Sequence, residues 1–239
     1  MAYAIFIDTT LCTGCRGCQV ACKQWHDLPA EKTRNNGSYQ NPPDLSFDTY
    51  KLVRMSEKVV DGRLRWLFFP EQCRHCIDAP CLQAADDARA IYKDSATGAI
   101  LYTAQTKNLG AGDIIEACPY NVPRKAADGT LAKCDLCNDR IHNGELPVCV
   151  KTCPTGAMNF GTREKMLQLA RTRLKEVKSK YPQAMLADPD EVSVIYLVAY
   201  APELYFEHVL GAADAFGITR QMAFKRMLGP FKRAAAHLG

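Results

Sequence analysis

The sequence has little net charge and lacks any block rich in lysine or arginine. Thirty basic residues stand against 26 acidic ones, which leaves a formal net charge of only +4 at pH 7. Nucleic-acid-binding domains usually carry a clustered basic surface. We therefore set that class aside and expect no nucleic-acid partner.

Long hydrophobic runs are also missing. The longest apolar stretch lies near residues 192–201, whereas a membrane helix needs roughly 20 consecutive apolar residues. The first residues, MAYAIFIDTTLC, contain neither the basic segment nor the long apolar segment of a secretory signal. We therefore expect a soluble chain with no transmembrane segment and no export signal of its own.

Cysteine, by contrast, is abundant, with twelve in 239 residues. These cysteines fall into four groups, and the third and fourth groups each end in Cys-Pro. The groups are Cys12, Cys15, Cys18 and Cys22; Cys73, Cys76 and Cys81; Cys118 alone; and Cys134, Cys137, Cys149 and Cys153. The repetition of similar cysteine runs is an internal repeat, which outweighs local secondary structure as evidence.

Three kinds of cysteine chemistry compete for these groups. Disulfides need an oxidising compartment, and C-x2-C spacing is too tight for most structural bridges. Zinc suits an isolated pair of C-x2-C motifs, but it does not explain the C-x2-C-x2-C-x3-C run that begins at Cys12. Soft thiolate ligands in this spacing are typical of [4Fe–4S] clusters, which we favour.

The order of the cysteines predicts how they pair. In two-cluster ferredoxins, the fourth cysteine of a run ligates the other cluster. We apply this rule to the first and fourth groups and, separately, to the second and third groups. The predicted ligands are Cys12, Cys15, Cys18 and Cys153 for cluster one; Cys22, Cys134, Cys137 and Cys149 for cluster two; and Cys73, Cys76, Cys81 and Cys118 for cluster three.

A complete fourth set of ligands is missing. The ferredoxin spacing, C-x2-C-x2-C-x3-C-P, places its ligands at Ala85, Asn108, Ala111 and Ile114, none of which is cysteine. Loss at random would rarely remove one whole set and leave the other twelve cysteines. A lone Cys118 would ordinarily be a buried free thiol, but Pro119 and the otherwise missing ligand of cluster three favour ligation. We therefore predict three clusters.

The rest of the chain has simpler signals. Residues 27–47 are polar and predict an irregular loop, and Asp61-Gly62 predicts the turn of a β-hairpin. This hairpin is either a packing element or a partner surface. Residues 162–181 predict a helix capped by Thr162, and VSVIYLVAY predicts a buried strand. The apolar face of that helix comprises Met166, Leu169, Ala170, Leu174 and Val177.

The C-terminal residues 203–237 predict helices broken near Gly211, Gly217 and Gly229-Pro230. This segment is basic at its end, and a solvated face is the simplest interpretation of that charge. The basic residues are Lys225, Arg226, Lys232 and Arg233.

Several stretches resemble the iron–sulfur electron-transfer subunits of the molybdopterin oxidoreductase superfamily. They are CTGCRGCQVACKQW, WLFFPEQCRHC, ACPYNVPR, KCDLCNDR and CVKTCPTGAMNFG. A longer stretch, KQWHDLPAEKTRNNGSYQNPPDLS, is most similar to the beta subunits of soluble tungsten or molybdenum formate dehydrogenases of sulfate-reducing bacteria. The family usually has four clusters, so the missing ligand set is a departure, as is the missing membrane helix.

The resemblance implies an α+β fold of two interleaved bacterial-ferredoxin-like modules. Residues 1–26 with 130–161 would form a module with two clusters, and residues 71–129 an inserted module with one. Residues 27–70 would form the loop and hairpin insertion. Residues 162–239 would form a C-terminal extension that is mainly helical and also contains a strand.

The resemblance also implies a role in electron transfer, with no catalytic residue on this chain. A large partner subunit would carry the tungsten or molybdenum bis-pterin cofactor and oxidise formate to CO2, and a soluble c-type cytochrome would accept the electrons. The heterodimer would be periplasmic through co-export with the catalytic subunit, with a cytoplasmic location as the alternative. Other functions that stay open are electron transfer for a nitrate, sulfoxide, thiosulfate or polysulfide reductase, and clusters with a purely structural role.

Charged residues beside the cysteines are candidates for tuning the cluster potentials, although each has a simpler interpretation as a solvent-facing or ion-paired side chain. They are Arg16, Lys23, Arg74, His75 and Lys133. We interpret His26 and Glu71 as structural. Cluster three is expected to lie farthest from the catalytic subunit, because the lost cluster would have been its neighbour near the membrane.

Overall fold

The computed structural model describes residues 2–35 and 37–211, and these contain ten strands and six α-helices. The strands are β1 Tyr3–Asp8, β2 Leu52–Val60, β3 Arg63–Glu71, β4 Ile91–Lys93, β5 Ile100–Tyr102, β6 Arg124–Lys125, β7 Leu131–Ala132, β8 Met158–Thr162, β9 Met185–Ala187 and β10 Val194–Val198. The helices are α1 Gly17–Trp25, α2 Pro80–Ala85, α3 Ala111–Glu116, α4 Asn138–His142, α5 Val148–Lys151 and α6 Arg163–Lys178. Short 3-10 turns occupy Thr9–Leu11, Ala104–Asn108 and Pro202–Leu204.

A four-stranded sheet with the order β8-β1-β10-β9 forms the centre of the fold. β1 pairs in parallel with β10, with Ile5 opposite Val194, and antiparallel with β8. All five residues of β10 are buried, which confirms the predicted buried strand. The sheet therefore joins the N-terminal strand to a strand that lies almost 190 residues later.

The two faces of this sheet pack against different parts of the chain. Side chains alternate across a strand with a period of two. Ile5 and Ile7 belong to a core that also contains hairpin residues and Cys18. Phe6 belongs instead to the core that contains Met166 of α6. The long helix thus packs on one face of the sheet, and most of the buried hairpin residues pack on the other face.

Helix α6 confirms the predicted helix and its cap. Thr162 precedes the helix in extended backbone, and its hydroxyl accepts a 3.5 Å hydrogen bond from the amide of Lys165. Met166, Ala170 and Val177 form the buried face, as the periodicity indicated. Among the described residues, no helix is both long and apolar enough to span a membrane.

The predicted hairpin is also confirmed, as strands β2 and β3 pair from Leu52 opposite Glu71 to Val60 opposite Arg63. Its base lies in the core, where Val53 and Phe69 are buried. Its tip is exposed and carries large apolar side chains. One end of the hairpin therefore packs in the core, and the apolar side chains of the other end are exposed.

Four short helices that carry or flank cysteines pack in two pairs. Helix α1 packs against α5, and α2 packs against α3. These contacts bring the first cysteine group near the last one, and the second near the third. The ribbons β4–β5 and β6–β7 lie in the segment between α2 and α4.

The helical prediction for residues 203–237 is wrong where the structure describes it. After Pro202–Leu204 the backbone continues in turns to Gly211. The carbonyl oxygen of Val209 accepts a hydrogen bond from Arg74, and the amide of Gly211 donates one to Asp188. Long-range partners thus hold this backbone in turns and override local helix propensity. Gly217, Gly229-Pro230, Lys225, Arg226, Lys232 and Arg233 lie outside the described residues.

Candidate metal centre

The cysteines lie on short helices and on the loops that lead into them. Cys12 ends a 3-10 turn, Cys18 and Cys22 lie on α1, and Cys81 lies in the first turn of α2. The remaining ones occupy the loop before α1, the loop after β3, the residue after the cap of α3, the loop before α4, and α5 with the residue after its cap. None of the twelve forms a disulfide.

Left-handed backbone shapes the loops around these thiols. Arg16, His75, Leu136 and Cys137 all have positive φ angles between 46° and 67°. Non-glycine residues adopt this conformation rarely, and such residues cluster at ligand-binding loops. The curvature directs backbone amides toward sulfur atoms.

Three such amide contacts have the same length. The amides of His75, Leu136 and Val122 each donate to a cysteine Sγ at 3.4 Å. The sulfur atoms belong to Cys73, Cys134 and Cys118. Hydrogen bonds to sulfur favour the thiolate that a metal needs.

Four cysteines from three separate segments line one cavity. They are the set predicted for cluster two, namely Cys22, Cys134, Cys137 and Cys149. His26, Lys51 and Gln72 line the same cavity. Four converging soft sulfur donors suit iron–sulfur chemistry, so the residues present fit a cluster.

The set predicted for cluster one also comes together. Burial raises the pKa of Cys12, and the negative charges of Cys153 and Cys15 raise that pKa further. Burial likewise raises the pKa of Cys18 to about 12, with contributions from Cys149, Cys12 and Cys15. Mutual repulsion among thiolates marks sulfur atoms that a shared cation would stabilise.

The set predicted for cluster three shows the same coupling. Burial raises the pKa of Cys76, and the charges of Cys73, Cys118 and Cys81 raise it further. Burial also raises the pKa of Cys118 to about 12, and Cys81 and Cys73 add to that rise. Cys118 therefore lies with the second cysteine group and not alone.

Apolar packing surrounds the positions of the missing fourth set. Ala85 and Ile114 are buried in a core cluster with Ile91 and Ile100, and Ala111 packs against its edge. Asn108 ends a 3-10 turn, where its side-chain nitrogen donates to the side-chain oxygen of Gln105 at 3.2 Å. Hydrophobic side chains thus occupy the region between α2 and α3.

The simpler interpretation of the charged residues fails for three of them, since Arg74, His75 and Lys133 are all buried. The ring of His75 accepts a 3.0 Å hydrogen bond from the amide of Ile100 at Nδ1. Burial and the charge of Lys133 lower the pKa of His75 well below its ordinary value. His75 is therefore neutral and adds no positive charge, which corrects its proposed role in raising potentials.

Lys23 and Arg16 have roles in loop packing. Lys23 donates to the carbonyl oxygens of Pro29 and Asp48 at 2.9 and 2.7 Å. The guanidinium of Arg16 lies 5.0 Å from the ring centroid of Tyr39. Both side chains hold the polar loop against α1.

His26 fastens α1 to the loop before α4. Its Nε2 lies 2.9 Å from a carboxylate oxygen of Asp135, and its Nδ1 lies 2.9 Å from the carbonyl oxygen of Cys22. Burial lowers the pKa of His26, but the hydrogen bonds with Asp135 and Cys22 outweigh burial and raise it to about 11. Ligand atoms of His26, Asp135 and Cys137 lie within 4.8 Å of one another. The side chains of His26 and Asp135, however, already pair with each other.

Glu71 is structural, as predicted, because its carboxylate pairs with Arg54 at 2.6 Å in the interior. No sequence pattern singled out Lys51 and Gln72 of the cavity. Gln72 precedes Cys73 directly and could have been noticed for that reason. Lys51 lies 22 residues before that cysteine, in a segment with no local signal.

Comparison with known proteins decides the family. Residues 64–163 match a family described as a 4Fe-4S dicluster domain. The chain is 56% identical over 214 residues to the formate dehydrogenase subunit beta of Megalodesulfovibrio gigas, covering 88% of this chain and 100% of that protein. The chain belongs to the formate dehydrogenase beta-subunit family.

Two other formate dehydrogenase subunits extend this relationship. The formate dehydrogenase 2 subunit beta (cytochrome c-553) of Nitratidesulfovibrio vulgaris is 50% identical, covering 87% of this chain and 98% of that protein. The nitrate-inducible formate dehydrogenase iron-sulfur subunit of Escherichia coli is 42% identical, covering 84% of this chain and 70% of that protein. The predicted family resemblance is confirmed. Formate dehydrogenase beta subunits are electron-transfer subunits of an oxidoreductase, and the fold is mixed α and β with a ferredoxin-like [4Fe–4S] domain.

Proposed function

We propose that this beta subunit carries three [4Fe–4S] clusters and relays electrons from a catalytic subunit to a soluble c-type cytochrome. The catalytic subunit would hold a tungsten or molybdenum bis-pterin cofactor and oxidise formate to CO2. The cavity lined by Cys22, Cys134, Cys137 and Cys149 carries the proposal. It unites thiols from the first and fourth cysteine groups, which is what the crossing rule requires.

The three ligand sets are those predicted from the sequence. Cluster one takes Cys12, Cys15, Cys18 and Cys153; cluster two takes Cys22, Cys134, Cys137 and Cys149; and cluster three takes Cys73, Cys76, Cys81 and Cys118. When bound, each cluster accepts and passes on one electron at a time. The packing of α1 on α5 and of α2 on α3 supports two interleaved modules, with the boundaries given above.

The chain's own residues hold the thiols and exclude water around them. Most of the sulfur ligands are buried, and amides of the surrounding loops donate to three of them. Burial and hydrogen bonds to sulfur are the main means by which a protein sets a cluster's potential. These features are compatible with redox-active clusters, and a redox titration of the complex separates them from clusters with a purely structural role.

The catalytic subunit docks at the hairpin tip, beside cluster one. Val59, Leu64 and Trp66 are 72%, 63% and 55% exposed. The ring of Trp66 lies 6.4 Å from that of Phe68, which packs on Gly14 between Cys12 and Cys15. Exposed apolar patches mark protein–protein contacts, and this patch continues to the loop of cluster one. Cluster three is then the farthest from the catalytic subunit.

The name of one relative supports the proposed acceptor and location. The name of the Nitratidesulfovibrio vulgaris subunit includes cytochrome c-553, which supports a c-type cytochrome as the acceptor. A c-type cytochrome acceptor suits a periplasmic heterodimer, in which this chain is exported together with the catalytic subunit.

Metal analysis of the complex tests this function. The tagged chain would be purified without oxygen from its native host, and iron, zinc, tungsten and molybdenum would be counted. We expect about 12 irons from this chain, as three cubanes, beside the partner's iron and one pterin metal. Zinc in place of iron, or iron without a large subunit and its pterin metal, would refute the proposal.

A further inference from the structure

Lys51 is a buried cation with neutral hydrogen-bond partners. The residue is only 2% exposed and directly precedes β2. Its ammonium donates to the side-chain oxygen of Gln72 and, at 3.4 Å, to the carbonyl oxygen of Pro70. Burying a charge is costly unless an opposite charge compensates it. The compensating negative charge must therefore come from other groups nearby.

Thiolates from two of the proposed clusters supply this negative charge. The ammonium lines the cavity of Cys22, Cys134, Cys137 and Cys149. Its strongest electrostatic partners are Cys149 and Cys18, which belong to different sets, and its charge also acts on Cys12. Lys51 thus lines the cavity of the cluster-two ligands, and its charge also acts on ligands of cluster one.

Gln72 links the same ammonium to a specific sulfur atom. Its side-chain oxygen accepts from Lys51, while its side-chain nitrogen donates to Sγ of Cys134 at 3.9 Å. A charged donor on one side of an amide strengthens the donor on its other side. Polarisation of the Gln72 amide therefore extends the electrostatic effect of Lys51 to the ligands of cluster two.

Other cations act on the ligands of cluster three. Arg74 acts on Cys76, and Lys133 acts on Cys81. Lys133 donates to the carbonyl oxygens of Ile100 and Cys134 and lies 4.7 Å from the ring of Tyr102. Each part of the proposed relay thus has its own buried positive charge.

We propose that Lys51 is a positioning residue for electron transfer, whose permanent charge raises the reduction potentials of clusters one and two together and leaves cluster three unaffected. The inference rests on the proposed function, since it requires those clusters. A reduced cluster carries one more negative charge than an oxidised one, so a fixed cation nearby stabilises reduction. Because one cation lies near both clusters, it raises both potentials together.

The test compares Lys51→Met with wild type in the anaerobic heterodimer. Electron paramagnetic resonance would follow reduction of each cluster at fixed ambient potentials, and Cys118→Ser would identify the signal of cluster three. We expect wild-type iron content and an about tenfold lower ratio of reduced to oxidised form for clusters one and two, a shift of about 59 mV for one electron. Lys175→Met, at an exposed position of α6, is the matched control and leaves all three signals unchanged.

Several outcomes would overturn the inference. Unchanged potentials at wild-type iron content would do so, as would an equal shift of all three clusters, because that pattern indicates a general structural effect. If Lys51→Met loses iron, Gln72→Glu places a carboxylate against the ammonium and must lower the same two ratios. Loss of iron in both variants also contradicts a tuning role. A wild-type chain without about 12 irons would refute the proposed function instead.

Discussion

The guanidinium of Arg74 donates a 2.7 Å hydrogen bond to the carbonyl oxygen of Val209, 135 residues further along the chain. The same guanidinium lies 4.0 Å from the ring centroid of Tyr196 and 4.8 Å from that of Tyr120. Arg74 lies between two ligands of the proposed cluster three. It therefore anchors the described C-terminal segment to the interior next to that cluster.

Replacing Arg74 by methionine should loosen the segment around Val209. The variant loses a charged donor and its stacking on aromatic rings, so we expect a loss of about 3 kcal/mol in the free energy of unfolding. Hydrogen exchange should rise in residues 200–211. Arg89→Met removes an exposed guanidinium paired with Asp87 and should change neither quantity. Unchanged exchange in Arg74→Met would show that the anchor is dispensable.

Gly14→Ala should disrupt cluster one. Gly14 has a φ of +67°, and a β-carbon there would meet the ring of Phe68 at 2.7 Å. We expect about four irons fewer per chain, measured by iron analysis. Gly62 has a similar φ of +71° with open space around it, so Gly62→Ala tests backbone strain alone and should retain all its iron. Equal iron loss in both variants would contradict the packing argument.

Cys118→Ser should damage the cluster held by Cys73, Cys76 and Cys81, because the crossing rule assigns these four thiols together. Paramagnetic resonance should show that one signal is lost or altered while two persist. In the parallel variant Cys22→Ser, a different signal should be lost. If Cys118→Ser instead perturbs the cluster of Cys12, the pairing is wrong.

Trp66→Glu should weaken association with the catalytic subunit, because it places a charge in an exposed apolar patch at the hairpin tip. We expect at least a tenfold higher dissociation constant, measured by titrating the isolated subunits, with iron content unchanged. Tyr92→Glu changes another exposed aromatic side chain, 40% exposed on β4, and should bind normally. Normal binding of Trp66→Glu would exclude the tip as the docking surface.

The ionised carboxylate of Asp94 should stabilise the fold, and this stabilisation should be lost when acid protonates it. Burial favours a higher pKa for this carboxyl, but hydrogen bonds from His142, the amides of Thr97 and Ala96, and Asn138 outweigh burial and lower it. A carboxyl with a lowered pKa stabilises the fold above its unfolded pKa of about 4, and that stability is lost as pH falls through the folded value.

The variant Asp94→Asn should therefore unfold more easily by about 1 kcal/mol near neutral pH. The difference from wild type should shrink below about pH 4, as followed by thermal unfolding of both proteins in parallel. Asp87→Asn, whose partner Arg89 is 84% exposed, should behave like wild type. A difference that grows toward low pH would contradict the assigned direction of the Asp94 pKa.

The sequence by itself determined the features that depend on short spacing. The cysteine runs, the missing ligand set, the turn at Asp61-Gly62 and the cap at Thr162 are all local patterns, and the hairpin and helix formed as predicted. Ligand spacing is informative because a cluster constrains several neighbouring residues at once.

Only the tertiary structure decided which distant residues meet. The parallel pairing of Ile5 with Val194, the ion pair of His26 with Asp135, and the burial of Lys51 join segments with no common local signal. The turns at residues 205–211 likewise replaced a predicted helix. In each case the decisive contact is long-range, and the free energy of burying and pairing groups outweighs the small local propensities that a sequence displays.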